Sequence, residues 1–124
     1  MKIGLVLSRM QKHFKTVGLP AYTTEEQTFA TKLQKAAGLK PTGMAKQIEP
    51  IPNEPTRGGL TDVGDVSYIT PNMGVTVPSV PKGIPVHKWM ATASHGTSIG
   101  FKAAVTAVKV LALTGIDLLT DAEL

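Results

Sequence analysis

The last quarter of the chain carries a helical pattern that a short protein has difficulty covering. Between residues 98 and 119, Phe101, Ala104, Val105, Val108, Leu111, Ala112, Ile116 and Leu119 spread over most faces of a helix. The polar stripe is only Lys102, Thr106, Lys109 and Asp117. At 1.5 Å per residue the helix is roughly 30 Å long, and one apolar over so much of its circumference is normally buried in a larger core. Lys102, Lys109 and Asp117 cut every uncharged run short of the ~20 residues a bilayer needs, so no membrane partner is expected. Nor do residues 1–7 read as a secretion signal, since Ser8, Arg9 and Lys12 end the apolar run too early.

The upstream elements are small. Ile3, Leu7, Met10 and Phe14 recur at helical spacing until Gly18 and Pro20 stop them. Thr23 with Glu26, or Thr24 with Gln27, has capping-box spacing, and Phe29, Leu33, Ala36 and Ala37 follow as one apolar stripe closed by Gly38. Residues 1–38 therefore read as a helical hairpin. Residues 39–59 hold four prolines and a Gly58-Gly59 pair, and no helix survives that density, so they form an irregular connector. Residues 60–124 then supply short strands at 66–70 and 74–78, a polar loop at 94–98 and the long helix. Two short strands cannot make a stable sheet alone. Thr120-Asp121-Ala122-Glu123 again has capping-box spacing, as if another helix were to begin. The expectation is one partial domain belonging to something larger.

Composition closes several functional classes. The net charge of +4 is mild and the lysines are scattered, and 5% aromatic residues give no stacking platform, which argues against nucleic acid. With no cysteine there is no disulfide scaffold, thiol catalysis or cysteine zinc site. Ser94, His87 and Asp65 supply the residue types of a serine hydrolase, yet Thr92 stands where a nucleophile elbow needs its first glycine. For metal, the candidates are His87 and His95 with Asp62 and Asp65, and no close His-x-x-x-His pair announces a site. Thr97 or Ser98 caps the long helix, and the loop from Ser94 to Ser98 sets hydroxyls and the His95 imidazole beside its positive end.

One resemblance adds to this. Thr61-Asp62-Val63-Gly64-Asp65-Val66-Ser67-Tyr68, followed by Gly83-Ile84-Pro85-Val86-His87-Lys88-Trp89, resembles the aminobenzoyl-glutamate utilisation protein B group of amidohydrolases. Thr97-Ser98-Ile99-Gly100, Ala107 to Leu113, Gly18 to Thr23 and Phe29-Ala30 extend the likeness over nearly the whole chain. That group belongs with the di-zinc metallopeptidases that include aminoacylases and dipeptidases. The resemblance implies an α/β fold, with this chain as the C-terminal fragment of a zinc-peptidase-like catalytic domain and its C-terminal helix buried. It further implies a cytoplasmic enzyme using zinc or manganese to hydrolyse a small-molecule amide or peptide. The missing N-terminal half would be the partner, the intact enzyme a homodimer, and this chain alone inactive. By motif position His87 is the metal ligand; Asp62, Asp65, Ser94, His95, Thr97 and Ser98 line the substrate site or support the ligand. Three positions depart from the group's pattern: Phe101 stands where histidine is frequent, and Lys88 and Leu60 where serine is common. The other reading from the residues is a stand-alone, non-catalytic module binding through the Ser94–Ser98 loop, or a decayed gene fragment.

Overall fold

The computed structural model describes residues 3–49 and 61–123. They form α1 (Ile3–Val17), α2 (Thr24–Ala36), α3 (Val63–Ser67), α4 (Trp89–His95) and α5 (Ser98–Thr120). Positions 50–60, which include most of the prolines and glycines of the expected connector and Leu60, lie outside the described residues. Residues 39–49 are irregular, as proline and glycine there dictate.

The amphipathic spacing of α1 finds its partner at the other end of the chain. Arg9 Nη2 donates to Asp121 Oδ2 at 2.9 Å, and His13 Nε2 lies 2.7 Å from Asp117 Oδ2. One turn forward on α1 thus matches one turn back on α5, so the two helices run antiparallel. Val6 and Met10, one turn apart, are buried on α1; Thr106, Val110 and Thr114 are buried on α5. Behind this pair, α2 and the coil after it close a second cluster in which Ala30, Met44 and Ile99 meet, with Tyr22 and Phe29 against them. Helix α4 packs on the start of α5.

The α/β expectation is overturned: the described residues are helical and contain no strand. Residues 63–67, partly assigned above to a strand, form α3, whose Ser67 hydroxyl donates to Gly64 O at 2.6 Å. Ile69 and Thr70 then donate their N–H groups back to Val66 O at 3.0 Å each, closing a turn. Residues 74–78 have no regular structure and no ladder. A strand's backbone groups need a neighbouring strand, and with none beside it the 63–70 segment satisfies its own. The long helix is not buried as expected either. It buries Ile99, Ala103, Thr106, Val110 and Thr114, while Phe101 remains 71% exposed and Val108 65%. Only small or medium side chains fit between helices in close contact, and the described residues supply neighbours on one side only.

By length and composition alone α5 is also long and apolar enough to cross a membrane. Two of its charged side chains are nevertheless committed to other elements, Asp117 to His13 on α1 and Lys102 to Glu26 on α2.

The α4–α5 corner depends on a glycine. A Cβ on Gly100 would lie 2.7 Å from His95 Cα and closer still to the His95 carbonyl, both backbone. Gly100→Ala is therefore expected to destabilise the fold by about 1–3 kcal/mol, the usual range for overpacking. Gly4→Ala, where nothing stands within 4 Å on a helix surface, should be neutral or stabilise by up to about 1 kcal/mol. Paired urea titrations would check both.

Candidate functional site

The first turns of α2 and α5 converge on one carboxylate. Thr23 is the N-cap of α2, and its N–H donates to Glu26 Oε2 at 2.7 Å while Glu26 N–H donates to Thr23 Oγ1 at 3.3 Å, the reciprocal capping box its spacing predicts. From α5, Lys102 Nζ donates to the same Oε2 at 2.7 Å and to Ala21 O at 2.9 Å, and Ser98 Oγ donates to Oε1. Glu26 is only 8% exposed. The Lys102 hydrogen bond, then that of Ser98, hold its carboxyl down to about 2 against burial, which pushes the other way. Glu26 is therefore ionised and already accepts from three donors, so it has no basicity left for proton abstraction. Nor does it activate Ser98, because a carboxylate so stabilised is a poor acceptor of that hydroxyl's proton.

A second polar group gathers at the C-terminal end of α4. Ser94 is fully buried and donates to Ser79 O at 2.9 Å; Ser79 Oγ and His95 Nε2 share a hydrogen bond at 3.0 Å. Thr97 donates to Ser94 O at 2.7 Å and accepts from Ile99 N–H at 3.3 Å, capping α5. One residue before Ser79, Pro78 O accepts from the Tyr22 hydroxyl. Burial, reinforced by the Glu26 charge, raises that phenol to about 12. A third anchor is Gln34, wholly buried, whose amide donates to Thr42 Oγ1, Gly43 O and Lys82 O at 2.9–3.3 Å and accepts from Gly43 N–H at 2.7 Å. Gly43 has φ +79°, and a Cβ there would run into the Gln27 side-chain amide.

The residues singled out from the sequence thus divide. Ser94, His95, Thr97 and Ser98 come together at the α4–α5 corner, where each makes a contact that also holds the corner. His87 stands exposed in the turn before α4, with no hydrogen bond to a described residue. Asp62 precedes α3 without a side-chain cap bond, and Asp65 lies in its first turn; residues 61–70 are exposed throughout. Among the described residues no three histidine, aspartate or glutamate side chains converge on a point where a metal would sit. One imidazole does not satisfy the four-coordinate demand of zinc, so these residues do not build the implied centre by themselves. The Ser94–His87–Asp65 combination is unusable as a hydrolytic triad, since Ser94 is buried and its hydroxyl committed. Two surface depressions among the described residues, of about 300 and 330 Å³, are lined by other residues: one by Leu19, Pro20, Phe101 and Val105 with their neighbours, the other by Thr24, Thr28 and Phe29 with theirs.

Sequence reasoning missed Ser79, Tyr22, Gln34 and the pairing of Glu26 with Lys102. The capping box announces Glu26, but its partner is 76 residues away, and no local spacing encodes that.

No family model matches the chain, and no solved structure matches it. Among curated proteins it is similar to a subunit of the p-aminobenzoyl-glutamate hydrolase of Escherichia coli (strain K12), at 31% identity over 86% of this chain. The chain spans 28% of that relative's length.

The corner should give stability a two-sided pH dependence. Glu26 has a depressed pKa, so its contribution is full above the ordinary 4.5 and is lost as pH falls toward about 2. The raised Tyr22 phenol acts at the other end, where ionisation of the unfolded chain above pH 10 favours unfolding until about 12. Glu26→Gln should flatten the acid limb and cost about 1–3 kcal/mol at neutral pH through lost charged hydrogen bonds; Tyr22→Phe should flatten the alkaline limb. Thermal melts from pH 2 to 12 would show unchanged limbs if these groups were not responsible.

Proposed function

We propose that this chain is one segment of a metal-dependent amidohydrolase, acting in the cytoplasm on an amide bond of an aminobenzoyl-glutamate or aminoacyl type of compound. The observation that carries the reading is the similarity to a protein named as a p-aminobenzoyl-glutamate hydrolase subunit. That name also describes a protein that assembles with others, which supports a polypeptide partner for this chain. In this reading His87 donates a ring nitrogen to a zinc or manganese centre whose other ligands come from outside the described residues. The exposed imidazole in the turn before α4 is compatible with that role. When bound, the metal would polarise the scissile carbonyl. Asp62 and Asp65 at α3 are the carboxylates available to orient the His87 ring through its second nitrogen. The α4–α5 corner, with Ser94, His95, Thr97 and Ser98, holds its shape through Glu26 and Ser79 and offers the His95 edge to substrate. Lys88, adjacent to the proposed ligand, adds a positive charge that disfavours metal.

A second reading is a non-catalytic binding module. It is favoured by the failure of the described residues to bring three potential metal ligands together. The two are separated by joining the chain to the polypeptide that corresponds to the remainder of the relative and measuring bound zinc and amide hydrolysis. The chain by itself should turn over neither aminobenzoyl-glutamate nor dipeptides with zinc or manganese present. In the joined protein, His87→Ala should lose one metal equivalent and at least about a hundredfold in activity, the upper range for disturbing a metal site's surroundings. His95→Ala should retain metal and change KM. Full metal retention by His87→Ala would remove the assignment.

A further inference from the structure

Ser67 and Ser94 donate their hydroxyls to backbone carbonyls, and Ser98 donates to the Glu26 carboxylate. Carbonyls, and a carboxylate held as low as that of Glu26, are too weakly basic to take a hydroxyl's proton. Ser79 differs. Its Oγ lies 3.0 Å from His95 Nε2, within the reach of a nucleophile and its base. Imidazole is the side chain whose basicity best suits that task near neutral pH.

The two partners come from separate segments, and each is held through its backbone. Pro78 O accepts from the Tyr22 hydroxyl, and Ser79 O accepts from Ser94 Oγ at 2.9 Å, so consecutive carbonyls are fixed on the Ser79 side. Ser94 itself is fully buried. On the other side Gly96 N–H donates to Thr92 O at 3.0 Å and Thr97 N–H to Ser94 O at 3.2 Å, closing α4 directly after His95. These bonds place the hydroxyl and the ring without occupying either Ser79 Oγ or His95 Nε2, and positioning on held backbone is what a reactive pair requires. His95 is exposed and Ser79 half-buried, so a small electrophile reaches both from solvent.

We propose that Ser79 and His95 are a nucleophile–base pair, and that Ser79 is a site of covalent acylation by activated acyl donors such as aryl esters. An imidazole carrying its proton on Nδ1 offers the Nε2 lone pair to the Ser79 hydroxyl. As Ser79 Oγ attacks the ester carbonyl, the Oγ–C bond forms and the hydroxyl proton passes to Nε2. The tetrahedral adduct then collapses: the bond from the carbonyl carbon to the aryl oxygen breaks, and the phenolate leaves. The imidazolium returns its proton to the phenolate or to water, and the product is an ester on Ser79. Such a pair suits a leaving group that departs as a stable anion. An amide needs its nitrogen protonated and its oxyanion stabilised, so the expected inertness of the chain toward aminobenzoyl-glutamate and dipeptides stands. Neither a metal nor the amidohydrolase reading enters this chemistry.

The test treats the 124-residue chain with p-nitrophenyl acetate and follows the acetyl groups residue by residue with peptide mass spectrometry. Ser8, exposed on α1, is the internal reference. General-base assistance is worth about 10²–10⁴-fold in rate, so Ser79 should be acetylated at least tenfold faster than Ser8. The variant His95→Gln keeps a hydrogen-bonding side chain but loses the base; it should bring the Ser79 rate down to that of Ser8, with helical circular dichroism unchanged. If that variant does not fold, the comparison of Ser79 with Ser8 in the unaltered chain decides the matter. Acetylation of Ser79 no faster than that of Ser8, an undiminished Ser79 rate in folded His95→Gln, or acetyl groups confined to lysine side chains would each overturn the proposal.

Discussion

The carboxylate of Glu26 is the point at which the two halves of the molecule are tied. It is nearly buried, and it meets Lys102 and Ser98 from α5 in addition to its own N-cap. A buried charge is costly unless paired and hydrogen-bonded. This one is both, and the satisfaction of its oxygens requires the first turns of α2 and α5 to sit side by side. That placement brings Ile99 into contact with Ala30 and Met44. Lys102 reaching Ala21 O fixes the segment between α1 and α2 as well. Remove the carboxylate and the cluster loses the polar contacts that orient its two helices, although the apolar contacts remain.

The rest of the polar architecture extends from that pair. Tyr22, one residue before the N-cap of α2, reaches Pro78; Ser79 then receives Ser94 and His95. On the far side of α2, Gln34 holds residues 42–43 and Lys82. In this way long stretches with no regular structure are fixed by side chains of α2 and α4 instead of by a sheet. Their backbone groups find side-chain partners where a ladder is missing. The α4–α5 corner is held by side chains in the same way, and its hydroxyls are largely committed to protein partners.

Local chemistry is legible in the sequence, and long-range partnership is not. The capping box of Thr23 and Glu26, the stops at Gly18 and Gly38, the cap at Thr97 and the length of α5 all follow from spacings within a few residues, and each appears where expected. The expected strands do not form because Val66, Tyr68 and Ile69 have β propensity without a neighbour to pair with, and β propensity measures fit to a sheet more than a backbone preference. The burial of α5 departs from expectation because apolar content does not measure how much of a helix its neighbours cover. Of the candidate site, the gathering of Ser94 to Ser98 is present in space, whereas Asp62, Asp65 and His87 occupy exposed positions. The role proposed for those three rests on resemblance alone, and the described residues do not assemble a metal centre from them.

What decides the inward face of α5 is polar, which is why its largest apolar residues point outward. Asp117 is seven and fourteen residues from Val110 and Ala103, so it extends the buried stripe, and there it meets His13. Lys102 flanks the same stripe at its other end and meets Glu26. Rotating the helix to bury Phe101, Val108 and Leu111 would gain apolar area, each such side chain being worth about 1.5–3 kcal/mol when fully covered. It would also withdraw Lys102 from Glu26, leaving a carboxylate in an apolar setting, where an unpaired charge costs about 3–5 kcal/mol. It would separate Asp117 from His13 and press Phe101 toward backbone that now contacts the slim side chains of Ala103 and Thr106. The charged ends therefore set the rotation, and the small residues between them allow α1 to approach. The large apolar face of α5, with Phe101, Val108, Leu111, Ile116 and Leu119 exposed, is what remains after that choice.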